Sequence, residues 1–192
     1  STSTPTVAGG KVYVGGSSAE GYANDWGGTS YYGVLAVIDA ATMTVEQSVT
    51  SCDGGKLPAD VKSAPLVSSR TDGTYVYFTC NSVPGGMYMY RLGDGSGSLC
   101  YLPDEANRNY ATSSVLCGPD GTLYYVNDSG NLFALRASDK KPEHNPDDPS
   151  DKPVADPDTD PVGPSDGQQG GQAAGLGAQA GMVPASSVPA GA

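Results

Sequence analysis

Asp120-Gly121-Thr122-Leu123-Tyr124-Tyr125-Val126, then Asn127-Asp128-Ser129, then Gly130-Asn131-Leu132-Phe133-Ala134-Leu135, is the stretch on which the fold turns. Two apolar, Tyr-rich runs of strand length are each opened by a glycine turn, and Asp-Gly and Asp-Ser-Gly are hairpin signals. The same order occurs twice before it. Ser3-Thr4-Pro5-Thr6-Val7 leads into Gly10-Lys11-Val12-Tyr13-Val14 and Gly33-Val34-Leu35-Ala36-Val37-Ile38. Ser63-Ala64-Pro65-Leu66-Val67 leads into Gly73-Thr74-Tyr75-Val76-Tyr77-Phe78 and Gly86-Met87-Tyr88-Met89-Tyr90. In the third copy the entry segment is Thr112-Ser113-Ser114-Val115-Leu116, which sets Pro5, Pro65 and Ser114 at matching places.

Gly10, Gly73 and Gly121 lie 63 and 48 positions apart. Repeats of about 40–50 residues made of several short strands predict an all-β chain of β-propeller blades. Nothing in the sequence sustains a helical period. Copies one and two have room for four strands each, in copy two near 64–68, 74–80, 86–92 and 98–102. The third stops at Ser138 after its third strand, so the reading is an open, partial propeller whose last blade lacks its outer strand. Closed propellers have roughly four to eight blades. Further blades upstream, or a second copy of the chain, would be needed to close the ring, and blades upstream are the expectation.

Beyond Ser138 the character of the chain changes. All 15 aromatic residues precede that position, and nine of the 15 prolines follow it. The charge divides as −5 over residues 1–138 and −6 over residues 139–192. The tail is Pro/Asp-rich and then Gly/Ala/Gln-rich, the composition of a disordered spacer that cannot bury enough apolar surface to order itself. Asp156, Asp158 and Asp160 have the spacing that opens a calcium loop, but Pro161 and Gly167 occupy the places of its Gly and Glu. The domain reading is therefore three blades over 1–138 and a spacer over 139–192.

The repeat resembles the pyrroloquinoline-quinone-like β-propeller repeat. Asp120-Gly121-Thr122-Leu123-Tyr124 and Gly130-Asn131-Leu132-Phe133-Ala134-Leu135 carry the likeness, and Asp39-Ala40-Ala41-Thr42 matches the turn before the last strand, with Met43 replacing its Gly. The Trp that commonly ends such blades is absent. The resemblance covers about residues 3–137 and implies the fold, while its members include enzymes, assembly scaffolds and surface proteins. Its quinone dehydrogenases carry a vicinal Cys-Cys pair and a Glu/Asn/Asp calcium set. The isolated Cys52, Cys80, Cys100 and Cys117 offer neither, so no cofactor is expected.

Catalytic patterns are equally thin. The single histidine, His144, lies in the tail, which leaves a Ser-His-Asp or Cys-His site without a base. No C-x-x-C or His cluster suggests zinc, Pro5 and Thr50 break the phosphate-loop spacing ahead of Lys11 and Lys56, and Gly175–Ala180 follows no strand. Asp104-Glu105 reads as a solvated loop. A net charge of −11 without a basic cluster argues against nucleic acid, and no apolar run approaches the roughly 18 residues that span a membrane.

Loop lengths point to a binding face. The segments Gly15–Tyr31, Thr50–Val61, Asn81–Gly85 and Pro103–Tyr110 emerge together in this architecture. The longest carries Tyr22, Asn24, Asp25, Trp26 and Tyr31, a mixture of rings and polar groups suited to sugar or peptide contacts, with Trp26 as the anchor. Four cysteines allow three pairings. Cys52 with Cys80, at strand ends of neighbouring blades, is the preferred disulfide. Cys100 and Cys117 are harder to join, and each reads as a buried thiol.

These features predict a non-enzymatic binding, adhesion or scaffold segment for protein or carbohydrate ligands, displayed outside the cell on a Gram-positive type of bacterial surface. The missing initiator Met and leader predict a piece of a longer chain. Two alternatives are a fragment of a quinone- or metal-dependent propeller enzyme and a scaffold like those that assemble outer membranes.

Overall fold

The computed structural model describes residues 3–137 and 182–189. The chain is all-β, with a single 3-10 turn at Glu105–Asn107 among the described residues. Sheet one is β1 (Thr6–Ala8), β2 (Lys11–Ala23), β3 (Thr29–Asp39) and β4 (Val45–Val49), paired in that order. Sheet two contains the short hairpin β5 (Ser51–Cys52) and β6 (Gly55–Lys56), then β7 (Leu66–Arg70), β8 (Gly73–Thr79), β9 (Met87–Arg91) and β10 (Gly97–Tyr101). Its spatial order is β6-β5-β10-β9-β8-β7, with β5 running parallel to β10. Sheet three is β11 (Leu116–Cys117), β12 (Leu123–Val126), β13 (Asn131–Ala137) and β14 (Met182–Pro189), again in chain order. The three sheets form no closed barrel or closed ring.

Hydrophobic alternation stacks the sheets in sequence order. One core joins Tyr13, Leu35, Val37 and Val49 of sheet one to Val76, Phe78, Tyr88 and Tyr90 of sheet two. A second joins Tyr75, Tyr77 and Met87, from the opposite face of sheet two, to Leu123, Tyr125, Phe133 and Leu135 of sheet three. The middle sheet is thus apolar on both faces, which explains why its strand β8 reads as an almost unbroken apolar run rather than an alternating one. Tyr125 and Phe133 stack with centroids 4.9 Å apart, and Tyr101 reaches both rings.

Hydrogen bonds make the internal repeat explicit. The Gly15 amide donates to Ser3 Oγ at 3.1 Å. Thr79 N donates to Ser63 Oγ (2.9 Å), whose hydroxyl donates back to Thr79 O (3.2 Å). Ser113 does the same with Val126. Thr6 pairs with Tyr13, Leu66 with Tyr77 and Leu116 with Tyr124, so Ser3, Ser63 and Ser113 occupy one structural position. The sequence alignment of Pro5 and Pro65 with Ser114 is therefore corrected by one residue: Val115 takes that place. The cause is the β11–β12 connection, which spans Gly118–Thr122, whereas the turns after Ala8 and Arg70 span two residues. Neighbouring inner segments are also tied to one another. Ser3 Oγ donates to Ser63 O (2.8 Å), Thr79 Oγ1 donates to Ser113 O (2.9 Å), and Ala64 N donates to Ser114 Oγ (2.9 Å).

Three further expectations change. The fourth strand of sheet three is present, supplied by Met182–Pro189 lying antiparallel along Asn131–Ala137. Two prolines hide it from a propensity reading. Proline is tolerated on an edge strand, and Pro184 adjoins the register shift opposite Ala134/Leu135. The expected spacer otherwise falls on residues 139–181 and 190–192, outside the described residues, as do the Asp156–Asp160 run and His144. Strands β5 and β6 arise within a segment read as a loop. Their tight turn holds Asp53 and Gly54 at φ +46° and +79°, and Asp53 Oδ2 accepts the Leu99 amide at 2.8 Å. Finally, most of Gly15–Tyr31, read as a loop, is one long hairpin of β2 on β3, with a register break between Ser17 and Gly21.

The connections between sheets cross their neighbours at glycine. The chain at Leu57–Val61 runs over sheet one, where Gly33 N donates to Leu57 O (3.0 Å) and Val61 N to Gly16 O (3.0 Å). A Cβ on Gly33 would lie 2.2 Å from the Ala59 carbonyl oxygen. Gly85, the equivalent residue of sheet two by strand register, stands in the same relation to the Asn109 carbonyl oxygen, at 2.0 Å. Gly33→Ala should therefore cost about 1–3 kcal/mol, the range for overpacking against groups that cannot yield. Ala at Gly28, where the nearest groups are the Asn24 side-chain amide atoms at 3.3 Å or more, should cost less in the same denaturant titration.

Candidate functional site

The β2–β3 hairpin projects beyond the body of sheet one and ends in a turn built by Asn24. Asn24 Oδ1 accepts the amides of Trp26 (3.2 Å) and Gly28 (2.8 Å), and its Nδ2 donates to Ser30 Oγ (3.2 Å). Gly27, at φ +77°, supplies the left-handed residue the turn requires. Trp26 rides on this turn with 83% of its surface exposed. A ring exposed to this degree takes no part in either sheet core.

The stem of the hairpin is fixed from below. Tyr22 OH donates to Pro58 O on the crossing connection (3.2 Å), and its ring packs against Tyr32 with centroids 4.9 Å apart. Lys56 Nζ lies 4.7 Å above the Tyr32 ring and pairs with Glu20, so a cation–π contact and an ion pair brace the same rung. Tyr22 is thus a support of the site more than a free contact group.

Hairpin, connection and neighbouring sheet enclose an open groove of about 570 Å³. One wall is the hairpin, with Asn24, Asp25, Trp26 and Tyr31. The floor is Pro58–Asp60, and the far wall combines Asn81–Val83 from the β8–β9 connection with Tyr110 from the β10–β11 connection. All five residues singled out in the sequence line this groove, and all four long segments contribute to it. Tyr31 and Tyr110 are 48% and 40% exposed, which places three accessible rings around one concavity. Asp60 accepts from Asn81 Nδ2 at 3.4 Å and pairs with Lys62 at 3.6 Å. Ser82 is 8% exposed, and its Oγ has no hydrogen-bond partner among the described residues.

Asp60, Asn81, Ser82 and Tyr110 were not individually legible in the sequence. Their segments were, as long connections on one face. The missing signal was the crossing at Gly33, which decides which residues of Pro58–Asp60 turn toward the hairpin.

The described residues contain no cluster of three or more His, Cys, Asp or Glu able to hold a metal, and no helix long and apolar enough to cross a membrane. The expected Cys52–Cys80 disulfide is corrected: all four cysteines are free thiols. Cys52 and Cys80 both belong to the first core, where apolar neighbours surround them, and Cys52 Sγ instead contacts Asp53 Oδ2 at 3.6 Å. Burial, reinforced by Asp53, pushes the Cys52 thiol up to about 12, and burial raises Cys80 further and Cys100 to about 12. No protein-family model matches the chain, and no curated protein matches it.

The expectation of buried thiols is also corrected at Cys117, which is exposed, while Cys100 is half-buried. An aromatic thiol reagent should accordingly label Cys117 in the folded protein and reach buried Cys52 and Cys80 after denaturation. The buried thiols ionise more readily once unfolded. Their contribution to stability is therefore intact below about pH 8.5 and is lost as pH rises toward their folded values. Denaturant midpoints measured across that alkaline range should fall, while those taken between neutrality and about pH 8 should stay level.

Proposed function

We propose that this chain is a propeller-type repeat segment, similar to the pyrroloquinoline-quinone-like blades, that binds neutral carbohydrate without catalysis and is displayed on a bacterial cell surface. The observation that carries the reading is Trp26, 83% exposed on an ordered turn at the rim of a groove that also presents Tyr31 and Tyr110. Aromatic faces accept the C–H faces of sugar rings, and Asp25, Asp60 and Asn81 sit where ring hydroxyls need acceptors and donors. The acidic balance of the chain disfavours phosphorylated, sulfated or nucleic-acid ligands. Rings joined by a few polar groups, on loops held by a rigid sheet scaffold, suit recognition.

Trp26 is the sole tryptophan, so its emission reports the groove directly. Titration with soluble β-1,4-linked glucose and N-acetylglucosamine oligosaccharides should quench or shift that emission saturably. Trp26→Ala, followed by calorimetry, should weaken the same binding by about 1–3 kcal/mol. Its unfolding free energy should change by less than about 0.5 kcal/mol, because an exposed ring gives little to the core. Unaltered affinity in the variant, or no response to any neutral glycan on an array, would remove carbohydrate as the ligand.

A further inference from the structure

The two observed sheet interfaces repeat one pattern, and among the described residues both halves of a third instance are part exposed. By strand register, Val12, Val14, Ala36 and Ile38 of sheet one match Val76, Phe78, Tyr88 and Tyr90 of sheet two. In sheet three the same positions are Leu123, Tyr125, Phe133 and Leu135. In sheets two and three this quartet is buried against the preceding sheet, with every member at 8% exposure or less. In sheet one no other described sheet lies against it, and all four are part exposed. Val7 pairs with Val12 on that outward face and is 68% exposed, whereas its counterpart Val67 packs into the first core.

The opposite face behaves in mirror fashion. Thr6 and Tyr13, Leu66 and Tyr77, and Leu116 and Tyr124 are equivalent pairs directed toward the following sheet. Tyr13 and Tyr77 are buried there, and Leu66 packs against the second core. In sheet three Leu116 is 65% exposed and Val126 38%. The outward face of sheet three is thus built to be covered by a sheet of this repeat. The outward face of sheet one is the uncovered surface of the covering type.

We propose that two copies of this chain associate head to tail, the outward face of sheet three in one copy covering the outward face of sheet one in the other. A second copy is favoured as occupant because it continues an interface the chain already makes twice, with the same register and the same order of faces. Such a contact is heterologous, and it closes when the rotation per copy completes a circle. Two copies would bring six sheets into one ring, within the range of about four to eight that closed propellers use. The proposal does not depend on what the groove binds.

Light scattering coupled to size exclusion, at micromolar concentration, reads the outcome. The wild-type chain should run at twice the 19.4 kDa of one chain. Val7→Asp and Leu116→Asp, both at exposed positions, should each halve that mass while leaving the circular dichroism spectrum and the Trp26 response to oligosaccharide unchanged. A wild-type monomer overturns the proposal. So does a dimer that survives either substitution, since a symmetric contact through one face would need only that face. A trimer or an open polymer sensitive to both substitutions would overturn the two-copy ring. Failure of oligosaccharide binding with an intact dimer would count against the groove reading alone.

Discussion

A carbonyl oxygen sits where a side chain would be. At Gly33 the Ala59 oxygen, and at Gly85 the Asn109 oxygen, occupy space that any Cβ would contest. Because each connection lies directly on the sheet it has just left, the next sheet is delivered against a defined face of that one. The serine bonds then hold the entry segment to its own second strand and to the adjacent repeat. Local geometry at two glycines therefore decides which apolar faces meet. Burial of those faces contributes the bulk of the stabilisation, since each Tyr, Leu or Phe removed from water is worth on the order of 1.5–3 kcal/mol.

The groove inherits its shape from the same crossing. Pro58 is brought under the hairpin by the path through Leu57 and Val61, and only there can its carbonyl accept the Tyr22 hydroxyl. That bond, with the Lys56–Tyr32 contact, holds upright a hairpin that would otherwise be a two-stranded ribbon of little stability alone. In the proposed carbohydrate contact, rigidity at the stem is what favours Trp26 as the contact ring. A ring on a mobile loop would lose conformational freedom on every encounter, and that cost is subtracted from affinity.

Much of this was readable beforehand, and the failures have physical causes. Glycine turns and Tyr-rich alternation gave three sheets and placed Trp26 at an exposed tip. The register of the third repeat was misjudged by one residue, because a longer Gly118–Thr122 connection shifts Ser113 into the serine position. Strand β14 was invisible, because Pro184 and Pro189 lower its propensity and its partner β13 lies 44 residues earlier in the chain. Cys52 and Cys80 looked like a bridge because spacing placed both at strand ends. Direction is what spacing omits, and both thiols share an apolar core in which Cys52 turns to Asp53. Ser82 could not have been singled out at all. Its distinction is the missing partner, a property of the assembled wall.

The exposed residues of this protein divide into two kinds by how they are supported. Leu116 and Val7 are exposed where no further described sheet lies beside theirs, and their equivalents Leu66 and Val67 pack against the cores. Trp26 has no such equivalent. The β2–β3 hairpin that carries it is an extension peculiar to the first repeat, since β8 and β9 are joined without one. Pattern-ending exposure calls for more of the same sheet. Exposure on a unique, braced extension calls for something unlike it. On that distinction the two proposals, stacking at the sheet faces and ligand binding at the groove, rest on separate residues, and one surface can be altered without disturbing the other.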